Sequence, residues 1–121
     1  MLALVGTLGS GKTTFTKGLA KALGVKAVVH SPTFLLLKCY ATKRFKIQDS
    51  RFKIRSICHI DAYRMKSPRE LITVGATESM GDPHTVTVVE WADRVKASLP
   101  DSSVRITFSH GKVSSERIVT T

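Results

Sequence analysis

Eight residues near the start of the chain, Gly6-Thr7-Leu8-Gly9-Ser10-Gly11-Lys12-Thr13, match G-x-x-x-x-G-K-[ST] at every fixed position. The chemistry open to such a run is the cradling of phosphates. Glycines permit the turn that aims successive backbone N–H groups at phosphate oxygens. The helix that follows adds unpaired donors and the positive end of its dipole. Lys12 would reach the β- and γ-phosphates, and the Thr13 hydroxyl would ligate Mg²⁺. Such a loop needs a carboxylate on a neighbouring strand to hold the water shell of the metal. Glu90, closing the run Val86-Thr87-Val88-Val89, is the first candidate. Asp61, closing Ile57-Cys58-His59-Ile60, is the second, and Thr33 in Ser31-Pro32-Thr33-Phe34 offers a loop hydroxyl able to sense the γ-phosphate.

The elements that must position these residues are readable in outline. Met1 to Gly6 is a short apolar run entering the glycine turn, as a buried strand would. From Lys12 the pattern is helical, with Phe15, Leu19, Ala22 and Leu23 on one face and Gly24 as the stop. Val25 to His30 is β-prone, Phe34 to Tyr40 reads as a buried strand, and Ser56 to Asp61 as another. Between them, Arg44-Phe45-Lys46-Ile47 recurs as Arg51-Phe52-Lys53-Ile54 around Gln48-Asp49-Ser50. Two alternating runs about a polar turn predict a β-hairpin, apolar on one face and cationic on the other. Ser67-Pro68-Arg69-Glu70 opens a helix. Thr85 to Trp91 is a β-branched strand, Ala92 to Leu99 a short helix, and Val104–Ser109 with Val113–Val119 a terminal hairpin turning at Gly111-Lys112. Strand, helix, strand, helix, strand is the order of an α/β fold.

Composition narrows the class. A chain of 121 residues with 42% hydrophobic and 23% charged residues is expected to form one globular domain over 1–121. No apolar run approaches the roughly 20 residues of a membrane span, and Met1 to Gly6 lacks the basic flank of a secretory signal. Cys39 and Cys58 form no C-x-x-C pair and are expected to be buried, inert thiols in a reducing cytoplasm. His30, His59, His84 and His110 lack metal-ligand spacing and read as ordinary surface or strand residues. The net charge of +10 is uneven: residues 1–37 carry +4, 38–69 carry +8, and 70–121 carry −2. So localised a field attracts polyanions.

Taken in order, Gly6 to Phe15, Ser31-Pro32-Thr33-Phe34, His59-Ile60-Asp61-Ala62-Tyr63-Arg64, Glu70-Leu71, Gly75, Val89-Glu90-Trp91 and Leu99-Pro100 resemble the TsaE (formerly YjeE) family. These are small P-loop ATPases of bacterial tRNA threonylcarbamoyladenosine synthesis. The resemblance implies a mixed, mainly parallel sheet flanked by helices, ATP and Mg²⁺ as cofactors, and TsaB-like and TsaD-like partners. It implies Gly9, Ser10, Gly11, Lys12, Thr13 and Thr14 as the phosphate cradle, and Thr13 with Glu90 as the metal side. By the same match Lys12, Asp61 and Glu90 carry catalysis, and Trp91 and Arg117 lie by the nucleotide.

The sequence departs from that family pattern in three places. It begins at the first strand, where family members usually carry a preceding segment. Thr7 stands where an acid is common. Residues 41–56 form a longer and more basic connection, an inserted hairpin whose cations are candidates for tRNA phosphates or an acidic partner face. The main alternative is a small-molecule kinase, for which an acceptor-binding lid is missing from the pattern. A non-catalytic nucleotide- or RNA-binding module is the other.

Overall fold

The computed structural model describes residues 1–46 and 53–121. Its backbone is one six-stranded sheet in the order β2-β3-β4-β1-β5-β6. The four central strands run parallel: β1 (Leu2–Gly6) lies between β4 (Thr85–Glu90) and β5 (Val104–His110), and β3 (Lys53–Asp61) lies beyond β4. Each edge is closed by an antiparallel strand, β2 (Leu37–Lys46) on β3 and β6 (Arg117–Thr120) on β5. The expected mixed, mainly parallel α/β fold is what forms.

Alternation along the central strands builds two cores, one on each face of the sheet. Leu4 and Val88 pack with Ala20, Ile57 and Phe108 beneath α1 (Lys12–Ala22). Their neighbours Ala3 and Val89 pack with Ile60, Leu71, Ala76 and Val95 on the opposite face. That face is covered by two short helices, α2 (Glu70–Thr73) and α3 (Ala76–Gly81), and by a 3₁₀ segment over Ala92–Ser98. The first helix ends where the sequence says. Gly24 is left-handed at φ 78°, and the amides of Gly24 and Val25 bond back to Lys21 and Ala20, a Schellman stop.

Several expectations need correction. Residues 25–30 form no strand, and the strand read from Phe34 starts at Leu37, leaving Phe34 and Leu35 exposed in a turn. What looked like three pieces, 34–40, a separate basic hairpin, and 56–61, is one long antiparallel hairpin of β2 and β3. A register shift between Ala41 and Phe45, with a second irregularity on the β4 side of β3, hides its continuity from a period-two reading. The amides of Arg55 and Ser56 both bond to the carbonyl of His84, so Ile54 and Ile57 reach the same core despite opposite parity. Within the repeat, Phe45 pairs with Ile54 and Lys46 with Lys53, while 47–52, including the Gln48-Asp49-Ser50 turn, lie outside the described residues.

The helix at Ser67 is a single turn that begins at Glu70, breaks at left-handed Gly75 and resumes as α3. The terminal turn spans residues 111–116 rather than two residues, and β6 starts at Arg117. Finally, Cys39 and Cys58 are not buried thiols. They stand directly opposite in the antiparallel register with Cα atoms 4.0 Å apart, joined as a disulfide, and Cys39 is exposed on the edge strand.

Candidate functional site

The carboxyl ends of β1, β3 and β4 meet at one end of the sheet, where an open α/β sheet exposes its loops to ligand. β1 delivers the glycine run. Gly6 lies so close to β5 that an added Cβ would collide with the carbonyl oxygen of Phe108 and the Ser10 hydroxyl. Gly11, left-handed at φ 104°, turns the chain into α1, and no side chain caps that helix. With no side-chain cap, the first N–H groups of α1 remain available as donors for an anion.

A cleft of about 560 Å³ opens there, lined by Gly9, Ser10, Gly11, Lys12, Thr13 and Thr14 together with Glu90, Trp91 and Arg117. Nine sequence-predicted residues thus share one wall system. Leu8, Phe15, Phe108, Ser115 and Val119 complete it, and the sequence reading had not assigned them to the site. Phe15 and Phe108 meet edge to face at 5.5 Å, giving the cleft an apolar floor. Arg117 is tied to the loop by its Nε, which donates to the Gly9 carbonyl at 3.1 Å.

Lys12 is the most constrained charge in the site. Its Nζ donates to the carbonyls of Gly6 (2.7 Å) and Thr7 (2.9 Å) and lies 3.9 Å from the centre of the Trp91 ring. Burial pulls its pKa below the ordinary 10.5, against the opposing pull of Glu90, Asp61 and Asp93. Trp91 holds a left-handed backbone at φ 57°, a conformation that costs a non-glycine residue about 1–2 kcal/mol. That turn carries the chain from β4 into the 3₁₀ segment.

At the acidic end, the Thr13 hydroxyl donates to Glu90 Oε2 at 2.8 Å, linking positions 77 residues apart in sequence. The other oxygen, Oε1, lies 2.7 Å from His59 Nε2 and 3.5 Å from Thr16 Oγ1. Because Thr13 spends its hydrogen on Glu90, its oxygen lone pairs stay open to a cation. A hydroxyl and one anionic carboxylate suit magnesium, which keeps several waters and takes its remaining ligands from phosphates. Among the described residues there is no cluster of three or more His, Cys, Asp or Glu that could cage a metal without a phosphate.

Two predicted residues stand beside the cleft and not on its wall. Asp61 pairs in register with Glu90, one strand over. Its carboxylate accepts from the Ser31 hydroxyl (3.1 Å) and the Tyr63 amide (2.9 Å), and its own amide donates to the Leu36 carbonyl (3.0 Å). Thr33 is linked to this knot by its hydroxyl, 3.1 Å from that of Ser31. Asp61 therefore fastens the 31–36 loop to the sheet. The buried His59 was missed as a site residue. The available signal was its spacing: two positions before Asp61 on one strand, it projects from the same face.

A family model described as threonylcarbamoyl adenosine biosynthesis protein TsaE matches residues 1–119. The tRNA threonylcarbamoyladenosine biosynthesis protein TsaE of Treponema pallidum is 36% identical over 106 residues, covering 88% of this chain and 70% of that protein. The protein of the same name from Bacillus subtilis is 38% identical over 106 residues, covering 88% and 59%. The crystal structure of Bacillus subtilis YdiB superimposes with a TM-score of 0.63 at 31% identity, covering 98% of this chain and 64% of that one. The chain thus spans roughly three-fifths to seven-tenths of the length of these relatives.

Proposed function

The chain belongs to the TsaE family, and on that footing we propose that it is a P-loop ATPase that binds Mg-ATP and serves tRNA threonylcarbamoyladenosine synthesis. The observation that carries this reading is the Thr13–Glu90 bond, which joins the end of the phosphate loop to the end of β4. A glycine turn alone needs no such partner. A metal-assisted phosphate site does.

In this reading the backbone of residues 9–14 receives the phosphates, and Lys12 leaves its carbonyl partners for the β- and γ-oxygens. Thr13, through its hydroxyl, and Glu90, through the water shell, would hold Mg²⁺. The metal would neutralise charge developing on the transferred phosphoryl group. Asp61 organises the 31–36 loop, so that Thr33 is presented toward the γ-phosphate side. Trp91 and Arg117 bound the nucleotide at the rim. Hydrolysis drives the cycle of a complex with TsaB-like and TsaD-like proteins in the cytoplasm, and the basic β2–β3 hairpin offers a contact for tRNA.

The test is a Mg-ATP titration of the purified chain by calorimetry, with Trp91 fluorescence in parallel and Lys12→Ala as control. Saturable binding that weakens at least tenfold in Lys12→Ala is the expected result. Equal binding by both chains would reject the site. ATPase assays with and without the partner proteins then test the cycle.

A further inference from the structure

His59 is a buried residue whose chemistry the reading above leaves unused. It lies on β3 opposite Val88, while its neighbour Asp61 lies opposite Glu90, so its ring crosses diagonally to the β4 carboxylate. His59 is fully buried and Glu90 nearly so. Their contact, Nε2 to Oε1 at 2.7 Å, is as short as the Thr13 contact on the other oxygen. An ionised carboxylate only accepts, so Nε2 carries the hydrogen and donates it. The second ring nitrogen, Nδ1, is buried with no hydrogen-bond partner among the described residues. An unpaired buried polar atom is a cost that a leucine here would not incur. Packing alone does not account for a histidine at this position; the bond from Nε2 does.

We propose that His59 is a positioning residue for the metal end of the site. It fixes Oε1 of Glu90 so that Oε2 stays on the hydroxyl of Thr13, the residue that would ligate the cation. Without that donor, Glu90 is free to rotate toward the Lys12 ammonium, its opposite charge across the cleft. Both partners of the phosphate would then be drawn away at once. The proposal rests on the assignment of Thr13 and Glu90 to the metal side.

The experiment is calorimetric titration of the full chain with ADP over a series of Mg²⁺ concentrations, for wild type, His59→Leu, His59→Gln and Glu90→Gln. Binding is read without turnover. Thermal unfolding without ligand monitors the fold, and His59→Asn, too short to reach Glu90, replaces the leucine chain if that chain does not fold. In His59→Leu, the Mg²⁺ concentration for half-maximal effect is expected to rise at least tenfold, with Mg²⁺-free ADP affinity within about twofold of wild type. His59→Gln, which keeps an N–H donor, is expected to restore most of the Mg²⁺ dependence. Wild-type Mg²⁺ dependence in His59→Leu alongside a defect in Glu90→Gln overturns the positioning role and leaves the metal assignment standing. Equal loss in His59→Gln and His59→Leu overturns it in favour of packing. Wild-type behaviour in Glu90→Gln overturns both.

Discussion

Two ionisable side chains show how differently this chain uses charge. Lys12 is buried at the phosphate loop, and desolvation lowers its pKa; its ammonium is held by two carbonyls and an indole face. A buried cation of this kind is poor evidence of stability and good evidence of a site. Asp82 is fully exposed, and its carboxylate is held below its ordinary 3.8 chiefly by the His84 amide, then by the Thr85 hydroxyl. It caps the turn into β4. Because its folded pKa is lowered, its contribution is complete above the ordinary value and is lost as pH falls through the lowered one. Thermal melts of Asp82→Ala and wild type should therefore differ at pH 6 and converge as pH drops below about 3.8. A gap that stays constant to pH 2 would mean that the substitution acts through the backbone of the turn. Of the site itself, Lys12, Thr13 and Glu90 were legible because each lies in a local pattern, a fixed motif or a strand end. For His59, spacing from Asp61 gave the face it projects from, but its partner Glu90 is fixed by strand order, which spacing along one strand does not encode.

At the scale of elements, the glycines of β1 and α1 separate close approach from mere tolerance. Gly6 has no room for a Cβ beside Phe108, where β1 and β5 run side by side. Gly6→Ala is expected to lose about 2–4 kcal/mol in urea unfolding, since backbone and not a flexible side chain must move. Gly18, exposed within α1, has nothing within 4 Å of an added Cβ. Gly18→Ala should gain about 0.5–1 kcal/mol from helix propensity alone. A loss at position 18 would mean that α1 packs more tightly than its exposure shows. The same physics explains which elements were legible. β1, α1, β4 and β5 carry unbroken periodicity against a two-sided core, and each formed where the pattern put it. β2 and β3 were split in the reading because their pairing shifts register between Ala41 and Phe45, and because Ile54 and Ile57 reach one core at opposite parity. Residues 25–30 and 34–36 were overread as strand. Their course is set by Ser31, Asp61 and left-handed Leu36 rather than by their own apolar content.

Over the whole molecule, charge and site are segregated by the direction of the strands. The phosphate cleft lies at the carboxyl end of the parallel sheet, where β3 finishes at Asp61. The last described pair of the basic hairpin, Lys46 with Lys53, lies at the opposite end of β3. A strand of 9 residues at about 3.3 Å per residue puts roughly 25–30 Å between them. That is about three Debye lengths at physiological salt, so the hairpin's cations are nearly invisible to a nucleotide in the cleft. They are well placed for a ligand long enough to reach both ends, or one held at the hairpin alone. Neutralising Arg44, Lys46, Arg51 and Lys53 together should therefore leave Mg-ADP affinity within about twofold of wild type. If tRNA lies along the hairpin, the slope of log K against log salt should fall by about 0.7–0.9 for each phosphate contact removed, and by about 2.8–3.6 if all four cations make one. Filter binding of tRNA at several salt concentrations, beside calorimetry of the nucleotide, reads both quantities on one preparation. An unchanged slope would assign these cations to guarding the open edge of β2 against pairing with another chain, where repulsion between like-charged strands is sufficient.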